Sequence, residues 1–173
     1  MRIDKFTQKM QEALQAAQDV ASQFNHQEIT NEHFLSALLD QSDGITQPLL
    51  EKIGVPANRL RERLAGELER RPKVHGAAVD LRLSNELRSV LDGAEKEMAK
   101  LKDEFTSAEH YLLALAGSNV PAAKILKDFG VCFGRHTEQV ESVFDTGGNR
   151  PPTLAVVRRT RPARRRGRPP PPG

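Results

Sequence analysis

The sequence predicts an all-α domain: two copies of a four-helix repeat, related by a pseudo-twofold axis, followed by a basic tail. The first observation is an internal repeat. Thr30-Asn31-Glu32-His33-Phe34-Leu35-Ser36-Ala37-Leu38 recurs 77 positions later as Ser107-Ala108-Glu109-His110-Tyr111-Leu112-Leu113-Ala114-Leu115. After a one-residue slip, Leu50-Glu51-Lys52-Ile53-Gly54-Val55 meets Leu126-Lys127-Asp128-Phe129-Gly130-Val131. The second is a three-and-four spacing of apolar residues, which marks one buried face of a helix. The third is an abrupt change of composition after Phe144.

Helix one follows from Phe6, Met10, Ala13, Leu14, Ala17, Ala21 and Phe24, with Thr7 placed to satisfy an orphan N–H at its start. Thr30 starts helix two, whose buried stripe is Phe34, Leu35, Leu38 and Leu39. Helix three spans about 46–53 and stops at Gly54, which suits the left-handed C-terminal position. Pro56 opens helix four at its first turn, with Leu60, Leu64 and Leu68 inward and Arg61, Arg63 and Glu67 outward. The segment 71–80, broken by Pro72 and Gly76, reads as an irregular connector. Ser84 starts helix five (Leu87, Leu91, Ala94, Met98, Leu101), Ser107 helix six and Pro121 helix seven, which ends at Gly130. Helix eight is expected over 133–144, with Val140, Val143 and Phe144 inward. The resulting organisation is a first repeat at 1–72, a connector at 73–83, a second repeat at 84–147 and a tail at 148–173.

A repeat of this size supplies little core alone, on the order of 3–5 kcal/mol. Packing two together buries about 68–70% of the unfolded surface, so one cooperative domain is expected.

The chain of 173 residues has a formal net charge of +3, but the charge is divided. Residues 1–144 hold 18 basic and 22 acidic residues. Residues 145–173 hold eight arginines, seven prolines and one acidic residue. Such a tail cannot bury enough apolar surface to offset its ordering entropy and is expected to be disordered. Arg-, Pro- and Gly-rich runs are also what GC-rich DNA encodes out of frame, so a frameshift origin is one reading of it. The tail lacks aromatic residues to stack on bases, so no specific nucleic-acid function is expected, only salt-sensitive adhesion.

Cys132 is the single cysteine; with no intrachain disulfide possible and no apolar run of membrane-spanning or signal length, a reducing cytoplasmic location without membrane contact is expected. Histidines 26, 33, 75, 110 and 136 lack metal-ligand spacing, and Gly147-Gly148 lacks the Lys-Ser/Thr of a phosphate loop. No catalytic constellation emerges: the expectation is a non-enzymatic chain with no cofactor. His33 and His110, at matching repeat positions, are expected in packing or hydrogen bonding at the repeat interface.

The opening Met-Arg-Ile-Asp-Lys-Phe-Thr-Gln-Lys, the paired Glu-His-Phe/Tyr-Leu segments at 32–35 and 109–112, and Pro48-Leu49-Leu50 through Gly54-Val55 resemble the duplicated Clp N-domain. Within that family they are most similar to the N-domains of ClpB-type protein disaggregases, over about residues 1–147. The resemblance implies a module that binds unfolded or aggregated polypeptide, tethered to hexameric AAA+ ATPase modules and working with DnaK-type chaperones. It implies a substrate-engaging surface at Thr7, Asp103 and Glu109. ATP belongs to the AAA+ modules, whose Walker motifs do not occur in these residues. Each residue also has a local explanation: Thr7 as a cap, Asp103 as a solvated turn, and Glu109 closing a capping box with Thr106 or favouring the positive end of helix six. Gly93, Glu97 and His110 fall where an apolar groove along helices five and six would lie. Two alternatives remain: an adaptor-binding N-domain of a Clp protease unfoldase, or a free-standing regulator or nucleic-acid binder acting through the tail.

Overall fold

In the computed structural model, residues 3–74 and 81–130 are described. Helix eight, expected over 133–144, and Cys132, His75, His136 and the tail lie outside them. Among the described residues the chain forms seven α-helices: α1 (Gln8–Gln23), α2 (Asn31–Asp40), α3 (Thr46–Lys52), α4 (Ala57–Arg70), α5 (Asn85–Leu101), α6 (Ala108–Gly117) and α7 (Pro121–Asp128). The apolar spacing holds. Met10, Ala13, Leu14, Ala17 and Ala21 of α1, and Leu60, Leu64 and Leu68 of α4, are buried, as are Leu87, Leu91, Ala94 and Met98 of α5.

The helix boundaries follow from local chemistry. The Thr7 hydroxyl accepts from the Met10 N–H, and that of Ser84 from the Leu87 N–H. Gly54 and Gly130, repeat mates, end α3 and α7 with φ of 85° and 83°, where a Cβ would be strained. Asn25 and Lys102 are also mates, and among the described residues are the non-glycine positions with positive φ, at 56° and 60°. Each turns the chain out of a long first helix.

Two expectations need correction. Pro56 stands just before α4, as its N-cap, and Ala57 is the first helical residue. Arg61 does not point simply outward: its guanidinium donates to the Leu39 carbonyl at the end of α2, to Gln47 Oε1 at 3.2 Å and to Asp40 Oδ1 at 3.1 Å. It satisfies a helix end that its own sequence context does not reveal.

The structure adds an element that periodicity did not predict. Glu28–Ile29 (β1) pairs in parallel with Arg82–Leu83 (β2), the latter within the expected connector, with Ile29 opposite Leu83. A separate parallel bridge joins Phe6 to Thr106. The two are one feature seen twice, because Leu83 lies 77 positions after Phe6 and Thr106 lies 77 after Ile29. Exchanging the repeats turns one bridge into the other, which is the signature of a pseudo-twofold axis. The surrounding bonds follow it: Ser84 N–H to the Ile29 carbonyl, and Thr7 N–H to the Thr106 carbonyl, both 3.0 Å. In each bridge the segment leading into one repeat's first helix is held by the segment leading into the other repeat's second helix. Across the axis Phe34 and Tyr111 meet edge to face, both fully buried, and α7 of the second repeat packs on α2 and α4 of the first.

Candidate functional site

The bridge at Phe6 and Thr106 gathers the three residues that the resemblance singles out. Thr7 follows Phe6, Asp103 lies three residues before Thr106, and Glu109 three after it. The Thr106 N–H donates to the Lys5 carbonyl at 2.7 Å, closing this small backbone platform.

His110 is central to the geometry. Its Nδ1 accepts from the Ser107 N–H at 3.0 Å, so Ser107 and His110 form the capping box of α6. With Nδ1 accepting, the proton resides on Nε2, which donates to Asp103 Oδ2 at 3.0 Å. The imidazole is buried while the Asp103 side chain is 53% exposed, so one face of the carboxylate is anchored and the other meets solvent. Asp103 is therefore a fixed acceptor, not a loose turn residue.

Glu109 does not close a capping box with Thr106. It is the second residue of α6, and the Thr106 hydroxyl donates to Met98 Sδ at 3.3 Å. The Glu109 side chain is partly buried, and its Oε2 is buried without a hydrogen-bond partner. A desolvated carboxylate oxygen at a helix start costs free energy unless a donor arrives. The two segments joined by this bridge also carry exposed apolar side chains: Phe105 at 52% and Ile3 at 48% exposure. Sequence reading missed both. The available signal was an apolar residue inside the polar loop Lys102-Asp103-Glu104-Phe105.

The first repeat shows the same scaffold with different chemistry. His33 Nδ1 accepts from the Thr30 N–H at 3.0 Å, again a capping box, and its Nε2 meets His26 Nδ1 at 2.8 Å. His26 is the repeat mate of Asp103. The two capping histidines thus act within their own repeats, and not at the interface between them as expected. Burial lowers the His33 pKa to about 3, aided by His26 and the Arg71 cation, and burial likewise lowers that of His26. Glu32, the mate of Glu109, is held at one oxygen by two donors: Arg71 Nη2 donates to its Oε2 at 2.9 Å and the Thr30 hydroxyl to the same oxygen at 2.6 Å.

Gly93 does not line an open groove. It faces α6, where an added Cβ would stand 3.2 Å from the Ala114 Cβ; His110 is buried in its capping role. Among the described residues no His, Cys, Asp and Glu cluster suits a metal ion, and no helix is long and apolar enough to cross a membrane.

Comparison with known proteins agrees with this architecture. The chain is 38% identical over 143 residues to the chaperone protein ClpB of Vibrio cholerae; that covers 83% of this chain and 17% of the relative's length. The chain therefore spans under a fifth of the length of such curated relatives. The Hsp104 N-terminal domain of Candida albicans superposes with a TM-score of 0.63 at 22% identity, over 80% of this chain and 86% of that one. A ClpV N-domain solved in complex with a VipB peptide gives 0.57 at 21% identity, over 66% and 69%. These two likenesses establish the fold. The family profile described as the Clp repeat (R) N-terminal domain matches residues 5–129, and with the duplicated helices around a pseudo-dyad this chain belongs to the Clp N-terminal domain family.

Proposed function

We propose that this domain captures unfolded or aggregated polypeptide for a ClpB-like disaggregase, through the platform bearing Thr7, Asp103 and Glu109. The observation that carries the reading is the pairing of exposed Phe105 and Ile3 with an anchored, half-exposed Asp103 and an unpaired Glu109 oxygen. Apolar side chains of a client would cover the first pair, and backbone N–H groups or basic side chains would bond the exposed face of Asp103, with the Glu109 charge adding to the attraction. The ClpV relative solved with a peptide supports a polypeptide ligand. In this reading ATP hydrolysis belongs to hexameric AAA+ modules and handover involves a DnaK-type chaperone; the N-domain itself performs no chemistry.

The expected affinity is modest. Covering about 400 Å² of apolar surface yields on the order of 10 kcal/mol gross, and association itself costs roughly 4–15 kcal/mol. Weak, broad capture suits a module that must release its client.

The test uses Asp103→Asn with Glu109→Gln, which keep hydrogen-bonding shape while removing charge. Capture of reduced, denatured casein by the full chain should fall severalfold with an unchanged helical circular dichroism spectrum. Capture at the wild-type level would refute the site.

A further inference from the structure

The pseudo-dyad gives the Phe6–Thr106 platform a counterpart at the β1–β2 ladder. Beside that ladder opens a cleft of about 460 Å³, lined by Glu28, Leu81, Arg82, Leu83, Asn85 and Arg88. The mates of Glu28, Leu81 and Arg88 on the first platform are Phe105, Asp4 and Gln11. The backbone is the same and the chemistry is not.

Phe105, Asp103 and Glu109 of the first platform have different counterparts at the second. The exposed apolar Phe105 becomes Glu28. Asp103 becomes His26, which is 3% exposed and turned inward onto His33. Glu109 becomes Glu32, which is 2% exposed and sealed beneath Arg71 and the Thr30 hydroxyl. Exposed in the cleft are Arg82 on the strand, with Glu28 as its cross-strand neighbour in the ladder, and Asn85 and Arg88 in the first turns of α5, so that two guanidinium groups stand against one carboxylate.

We propose that this cleft is a second polypeptide-docking site, one that takes a carboxylate-rich segment. Guanidinium groups bind carboxylates in a fixed, bidentate geometry, and two of them on a cleft wall select acidic over basic chain. Glu28 opposes a basic segment and limits how many carboxylates enter at once. The domain then presents two faces of opposite preference, one for apolar chain flanked by basic residues and one for acidic chain. Simultaneous engagement of both by one client raises effective affinity without strengthening either contact. The inference takes from the client-platform reading only the symmetry operation; its own ligand, residues and test are separate.

The test titrates the isotopically labelled full chain with a capped alternating Glu–Ala peptide and follows backbone amide shifts. Perturbations should centre on Glu28, Leu83 and Asn85. Arg82→Glu with Arg88→Glu should weaken binding by roughly tenfold or more, because charge reversal replaces attraction by repulsion. Arg82→Gln with Arg88→Gln should weaken it by a smaller factor, and serves if the reversal perturbs the fold. Asp103→Asn with Glu109→Gln should leave this binding unchanged, so failure of the casein test and of this one are read independently. Shifts confined to the arginine-rich residues 150–168 or to the Thr7–Asp103–Glu109 platform would overturn the proposal, as would unchanged affinity in both arginine variants.

Discussion

Phe34 and Tyr111 are the same position in the two repeats, and their rings meet edge to face with centroids 4.7 Å apart. The duplicated side chain thus packs on its own copy at the pseudo-dyad. The pair is not symmetric: the Tyr111 hydroxyl donates to Asn31 Oδ1 at 3.1 Å, whereas Phe34 has no hydroxyl and the mate of Asn31 is Ala108.

Removing one partner of that bond strands the other in the core. Tyr111→Phe should cost about 1–3 kcal/mol, since the buried Asn31 Oδ1 loses the hydroxyl that donates to it while its Nδ2 is already unpartnered. Asn31→Ala with Tyr111→Phe copies the chemistry of the opposite half and should recover part of the loss, with a coupling of roughly 0.5–3 kcal/mol. Urea unfolding midpoints of the two single variants and the double variant measure it. Strict additivity would show that the bond contributes nothing.

The buried histidine pair makes stability depend on pH. His33 has a folded pKa of about 3, below the ordinary 6.5, because burial, His26 and Arg71 oppose its protonation. The unfolded chain therefore takes up the proton first: stability is full above pH 6.5 and declines as pH falls toward 3. Between pH 7 and pH 5 the loss should be on the order of 2 kcal/mol. His33→Gln keeps a side chain able to complete the capping box but cannot titrate, and should flatten the slope. A wild-type stability that is level across this range would rule out the assignment.

Glu32 and Glu109 are repeat mates with opposite stability roles. Glu32→Gln disrupts a carboxylate held by Arg71 and Thr30 and should cost roughly 2 kcal/mol. Glu109→Gln relieves a buried oxygen without a partner but gives up a favourable charge at the start of α6. The opposing terms leave its effect within about 0.5 kcal/mol of zero. Thermal unfolding of the two variants should separate them clearly; equal losses would contradict the geometry.

Glycines inside helices report local space. Gly66, within α4, has nothing within 4 Å of an added Cβ, so Gly66→Ala should raise stability by about 0.5–1 kcal/mol. Gly93→Ala gains the same helical preference but presses on Ala114 at 3.2 Å, so it should give less or turn destabilising. Denaturant midpoints compare the two, and an equal gain at both would show that α5 and α6 can separate without cost.

The sequence alone determined the seven described helices, the caps at Thr7 and Ser84 and the repeat. Apolar side chains every three to four residues, hydroxyls at Thr7 and Ser84, and glycines at 54 and 130 act over a single turn, so their consequences are written in neighbouring residues. The duplication was equally plain, because matched side chains at a constant offset need no coordinates to be seen. Tertiary structure alone decided how the copies meet: which bridge joins Phe6 to Thr106 and Ile29 to Leu83, that Arg61 reaches the end of α2, and that His110 holds Asp103. These contacts join residues brought close only by helix packing. It also decided the contrast between Glu32 and Glu109, the same residue at matching repeat positions. One lies beneath an arginine from the end of α4 and the other has a buried oxygen with no partner, a difference made by burial and partners, which no local pattern encodes.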